Sequence, residues 1–269
     1  SFFMKNLFSF VIAVLYTTCL FAQKGKSKEK EKEVEIPFPV FGKVDRADLQ
    51  MKQCSFDEKA EAIVLFDDGQ LDYYPGTGFE FKRILRIKIL SDKGLDWANV
   101  HLRYSVIKGD EEEIAGLEAQ TYNLDNNGNI IVSKVEKKLI YENKLNKRYS
   151  EKVFTFPEVK VGSVIEYKFK HKNIGLVDWY FQRSIPVGQS RFIIDIPSEL
   201  EVSVRPYCSR EYFSKVANKS NRTVKTYSMS NVPGFRDEPY ILNEYFYRDR
   251  LETKIVAYPI NGIRTSRVV

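Results

Sequence analysis

From Ala60 to Met229 the chain alternates apolar and polar residues in short segments, and this period of two limits what it can fold into. "FEFKRILRIKIL" places Phe79, Phe81, Leu85, Ile87 and Ile89 on one face and Lys82, Arg86 and Lys88 on the other, as a strand with one buried face requires. "WANVHLRYSV" turns Ala98, Val100, Leu102, Tyr104 and Val106 inward and Asn99, His101, Arg103 and Ser105 outward. "VIEYKFKHK" does the same with Ile165, Tyr167 and Phe169 against Glu166, Lys168 and Lys170. Further strands are predicted at 63–66, 117–124, 130–135, 152–156, 192–196, 201–205 and 224–229, with turns such as "DNNGN" and "DIPSE" between them. One short helix is predicted at 45–53, with Asp45 as its N-cap. There is no long amphipathic helix and no internal repeat. The predicted fold is therefore all-β, an antiparallel β-sandwich of immunoglobulin-like architecture.

The 269 residues are 43% apolar and 14% aromatic, enough for one sizeable core or two small ones. Lysine and glutamate are interleaved along most of the chain, and the net charge of +6 is mild among 29% charged residues. A nucleic-acid partner is not expected from that balance.

The N-terminus speaks to location. Lys5 is followed by the apolar run Leu7 to Ala22, sixteen residues and shorter than a bilayer span, with small Ala22 placed for cleavage before Gln23. Residues 1–22 are read as a signal peptide, with residues 1–3 upstream of its Met4. Residues 23–36, "QKGKSKEKEKEVEI", are read as a charged, solvated linker. The expected location is outside the cytoplasm, periplasmic or on the outer membrane or cell surface. Cleavage leaves Cys54 and Cys208, whose spacing cannot decide a bridge; two free, buried thiols are the expectation.

Candidates for chemistry are few. Asp125, Asn127, Asn129 and Glu136 match positions of a calcium loop, but Ile130 stands where glycine is needed, and "LDNNGNI" reads as a hairpin turn. His101 and His171 are the two histidines, one on an outward strand face and one at a strand end. Ser190 in "VGQSRF" lacks a nucleophile elbow, and no HExxH, CxxC or GxGxxG occurs. The reading assigns no catalytic, metal-binding or cofactor-binding residue. In "VDWYFQRSIPV" three consecutive aromatics cannot all face one side of a strand, so Trp179 and Tyr180 are a candidate exposed aromatic surface for a glycan or another domain.

Five segments, "AEAIVLFDDG", "FKRILRIKILSDKGLDWANV", "IAGLEAQTYNL", "FTFPEVKVGSVIEYKFK" and "NVPGFRDEPY", occur in an order that closely resembles the DUF3857 family. The resemblance covers roughly 41–250. It implies a β-sandwich ahead of a transglutaminase-like domain in exported bacterial proteins, especially of Bacteroidota, with no catalytic residue in the module itself. The module is then expected over 37–240, with a connector to a downstream domain beginning in 241–269. "VPGFRDEPY" reads as a joint stiffened by Pro233 and Pro239, and Arg236, Asp237, Glu238 and Tyr240 are candidate interdomain contacts. The expected function is to position that domain as a partner in cis; the alternative is a stand-alone module binding a cell-surface glycan or peptide.

Overall fold

The structure, a computed structural model, describes residues 40–236, 243–260 and 263–266. A helical turn, α1 (Arg46–Gln50), comes first. The strands follow in chain order as β1 (Ala62–Tyr74), β2 (Gly78–Ile89), β3 (Asn99–Ile107), β4 (Asp110–Glu111), β5 (Glu113–Leu124), β6 (Ile130–Lys134), β7 (Tyr141–Lys144) and β8 (Tyr149–Thr155). They continue as β9 (Val164–Ile174), β10 (Trp179–Tyr180), β11 (Val187–Pro197), β12 (Glu201–Tyr207), β13 (Phe213–Lys219), β14 (Arg222–Val232), β15 (Arg250–Ile260) and β16 (Ile263–Ser266).

Eight strands make one large sheet in the order β13-β14-β11-β1-β2-β9-β5-β6. Its pairs are antiparallel except β1 with β11, which run parallel. Parallel neighbours need a long crossover, and the chain travels through β2 to β10 before β11 returns to the side of β1. Two smaller sheets, β4-β3-β8-β7 and β10-β15-β12 with β16 on β15, complete the sandwich-like fold. One hydrophobic cluster joins Leu85, Tyr167 and Phe169 of the large sheet to Val100, Leu102 and Phe154 of one small sheet and to Val202 and Leu251 of the other. Fully burying a large apolar side chain contributes roughly 1.5–3 kcal/mol, so the inward positions of the alternation hold the layers together.

The opposite face of the large sheet departs from the expectation. Arg86, Lys88 and Glu166, expected toward water, are at most 1% exposed. Residues 40–50 lie across them as a strap: Leu49 packs with Tyr122 and Val164 in a second, small apolar cluster. The alternation was read correctly and its environment was not, because nothing in a strand's own sequence shows that another segment covers its polar face.

Local elements agree with the sequence where turn chemistry dictates them. α1 is shorter than predicted, and Asp45 sits at its N-cap without a side-chain capping bond. The β5–β6 turn has Gly128 at φ +77°, and Asp125 Oδ1 accepts the amides of Asn127 and Asn129 at 2.8 and 2.7 Å. Those bonds give the carboxylate a structural task in the hairpin. Cys54 is buried and Cys208 half-buried, both as free thiols.

The region expected to open a connector is different too. β15 pairs with β12 from Glu201↔Ala257 to Tyr207↔Arg250 and with β10 through Trp179↔Leu251. Leu251 is fully buried, so residues 250–260 belong to the module's own sheet. The signal and linker readings, residues 1–36, lie outside the described residues. Among the described residues no helix is long and apolar enough to cross a membrane.

Candidate functional site

Strands β1, β2 and β9 carry buried charge on both faces of the large sheet. On the face toward the small sheets, Asp67 of β1 is fully buried. Arg83 donates to both its oxygens, Nε to Oδ1 at 2.8 Å and Nη2 to Oδ2 at 2.7 Å. Arg183 adds Nε and Nη2 on Oδ2 at 3.0 and 2.6 Å. Burial raises the Asp67 pKa and the Arg83 guanidinium opposes that shift. Beside this fork Trp179 stacks on Phe192, with centroids 5.2 Å apart, and lies 5.1 Å under the Arg83 guanidinium.

On the strap side, Arg86 donates from Nη2 to Glu166 Oε1 at 2.7 Å and to the Lys43 carbonyl at 2.6 Å. Glu166 Oε2 accepts the Gly42 amide at 2.9 Å and the Tyr122 hydroxyl at 2.7 Å, and Gln120 donates in turn to that hydroxyl. Burial, then the bond to Glu166, raises the Tyr122 pKa. Lys88 Nζ donates to the carbonyls of Leu49 and Gly162, each at 2.6 Å, and burial pulls its pKa down to about 8. These side chains grip the strap mainly by its backbone.

The sequence candidates are placed as follows. Trp179 is 2% exposed and donates Nε1–H to Ser190 Oγ at 2.9 Å, so it forms core, not an exposed aromatic surface. Three adjacent aromatics do not force one outward here: Phe181 is also buried, and the chain bends after the two-residue β10. Tyr180 is half-buried, edge-on to Tyr245. Phe246 and Tyr247 are the exposed pair in this neighbourhood, at 66% and 63%. Arg236 has a partner within the module: its Nη2 lies 2.6 Å from Asp57 Oδ1, and Asp57 Oδ2 also accepts the Gly234 amide. Asp237, Glu238 and Tyr240 lie outside the described residues.

His171 Nε2 sits 2.9 Å from Glu112 Oε2, which also accepts the Ser105 amide, and burial lowers the ring's pKa despite the carboxylate. His101 pairs with Glu151 at the surface. Burial, then Asp249, pushes the Cys208 thiol up to about 11, which keeps it protonated and unreactive at neutral pH. Among the described residues no three His, Cys, Asp or Glu side chains converge as a metal site. The alternation reading missed Asp67 and Arg83 as a buried pair. The signal was present in "LFDDG" and "FKRIL", where a charge occupies an inward position.

A sandwich-like all-β module with paired ions buried in its sheet faces is what this geometry defines. The profile described as a domain of unknown function with solved structures, DUF3857, matches residues 78–236, more than half of the chain. The chain belongs to that family. No curated protein matches it. Among solved structures, a candidate protease from Parabacteroides distasonis superposes with a TM-score of 0.60 at 13% identity, over 72% of this chain and 40% of the other. An M1 zinc metallopeptidase from Deinococcus radiodurans gives 0.34 at 9% identity, over 75% and 44%, a likeness too loose to argue from. The chain thus spans less than half the length of either protein.

Proposed function

We propose that this module is non-catalytic and that it precedes and positions a transglutaminase-like domain in an exported protein, by packing on it or presenting substrate to it. The observation that carries the reading is how the buried ionisable groups are used. Asp67 and Glu166 spend both carboxylate oxygens on Arg83, Arg183, Arg86, Gly42 and Tyr122, whereas a general base or nucleophile needs a lone pair free toward a substrate. The fold's occurrence within 40% of a longer candidate protease supports a module that works in a larger chain. Export rests on the apolar run at 7–22.

The test begins with the gene beyond the codon for Val269. The expected continuation encodes spaced Cys, His and Asp. The tandem protein should then hydrolyse or cross-link a casein substrate, and deleting residues 40–266 should lower that activity while the module alone shows none. Turnover by the module alone would overturn the non-catalytic reading, and a continuation without those residues would overturn the positioning role.

A further inference from the structure

Two strand edges with no neighbour among the described residues open onto one cleft. β6 pairs with β5 only from Gln120 to Leu124, and the last bond of that ladder is Val135 N–H to the Ala119 carbonyl. Beyond it the chain leaves the large sheet, passes through the turn Lys137–Leu139 and enters the small sheet as β7, which pairs with β8 on one side only. The outer edge of β5 from Glu113 to Leu117 is thereby left open. A cleft of about 430 Å³ runs along it, walled across by Ile140, Tyr141 and Glu142.

The outer edge of β5 is only partly satisfied, carrying one side-chain hydrogen bond and one irregularity. The Ile114 carbonyl is turned toward Lys152, whose Nζ donates to it at 2.9 Å. Gly116, at φ +59°, marks an irregularity where β5 shifts register against β9, and an added Cβ would meet Lys170 Cγ at 3.9 Å, an ordinary contact. Tyr141 is 59% exposed at the mouth and Leu117 is half-buried within, so an alternating strand would meet an apolar contact on either side.

Charge selects the kind of strand. Of the cleft's carboxylates, Glu113 is paired with Lys172 at 3.1 Å, while Glu142 accepts the Tyr104 hydroxyl and keeps its charge, so two lysines face one unpaired carboxylate. Its lysines, Lys137 and Lys152, have no carboxylate partner among the described residues. We propose that this cleft is a strand-addition site that takes an extended acidic peptide segment of another protein, pairing with the outer edge of β5 and placing its carboxylates against Lys137 and Lys152. Backbone pairing supplies affinity in such a mode and the flanking side chains supply selectivity.

The probe is an end-capped peptide of four Glu-Val repeats, titrated into the chain and followed through the amide resonances of Ala115, Gly116, Leu117 and Tyr141, with a Lys-Val peptide as its counterpart. The Glu-Val peptide should shift these amides and bind at least about tenfold more tightly than Lys-Val, a difference of about 1.4 kcal/mol. K137E/K152E should invert that preference. Lys137 is exposed and at no strand core, so K137E alone should narrow the preference even if the double variant fails to fold. Equal binding of the two peptides, shifts confined to other residues, or a preference unmoved by K137E would overturn the proposal. The same amides shifting with protein concentration alone would assign the edge to a second copy and overturn it equally.

Discussion

Arg86 of β2 and Glu166 of β9 are cross-strand neighbours that close an ion pair beneath the strap, Nε and Nη2 on one carboxylate oxygen at 3.0 and 2.7 Å, with neither side chain more than 1% exposed. Removing Arg86 leaves Glu166 charged and dry, and removing Glu166 leaves Arg86 with one carboxylate, the part-exposed Asp48, whose Oδ2 lies 3.5 Å from Nη1. Glu166→Gln or Arg86→Met alone should cost about 3–5 kcal/mol. Arg86→Met together with Glu166→Leu should cost clearly less than the two added, because the one carboxylate left without Arg86 is the part-exposed Asp48 and no fully buried charge remains unpaired. Urea unfolding of the three variants decides it, and strictly additive losses would show that the pair is not coupled.

Lys88 makes stability depend on alkaline pH. Its folded pKa is drawn from 10.5 to about 8 by burial, so between those values the unfolded chain holds a proton that the folded chain has released. Stability should rise with pH through that window, by on the order of 3 kcal/mol, and the gain is lost as the pH falls back through about 8. Lys88→Met should flatten the slope. An unchanged slope in the variant, read from urea midpoints across the window, would assign the dependence elsewhere.

Asp57 fastens the stretch that the sequence presented as a joint. It is 7% exposed in its side chain and accepts from both Gly234 N and Arg236, whereas the Arg236 side chain is 60% exposed. The two ends of the bond should therefore cost different amounts. Arg236→Ala removes a largely solvated partner and should cost under about 1 kcal/mol. Asp57→Ala also leaves the Gly234 amide without its acceptor and should cost about 1–2 kcal/mol more. Proteolysis within residues 233–236 should accelerate in Asp57→Ala first; the reverse order would place the anchor on Arg236.

The sequence made the β class legible because each half-buried strand records its own burial in its alternation: β2, β3 and β9 were found with their inward residues correct. β13 and β7 escaped, since nearly all of β13 and all of β7 are outside the core and carry no apolar face to betray them. Arg86, Lys88 and Glu166 were placed toward solvent because their burial depends on a strap more than thirty positions away in the chain. The same reason hid the Asp67 fork, whose second arginine is 116 positions from it. Three adjacent aromatics do not place Trp179 outward because strand alternation barely applies to the two-residue β10.

Gly69 and Trp179 supply the sharpest packing test. A Cβ at Gly69 would stand 2.3 Å from Trp179 Cζ3 and 2.8 Å from Cη2, far inside contact distance. The indole cannot yield easily, being bonded to Ser190, stacked on Phe192 and edge-on to Phe81. Gly69→Ala should therefore cost about 1–3 kcal/mol or more through overpacking, although alanine ordinarily suits a strand better than glycine. Trimming the ring should relieve it: Gly69→Ala in a Trp179→Leu background should cost less than in the parent chain. Saccharides should leave Trp179 emission unquenched throughout, as expected of a ring 2% exposed. If Gly69→Ala is equally costly in both backgrounds, the clash is with the sheet itself and not with the indole.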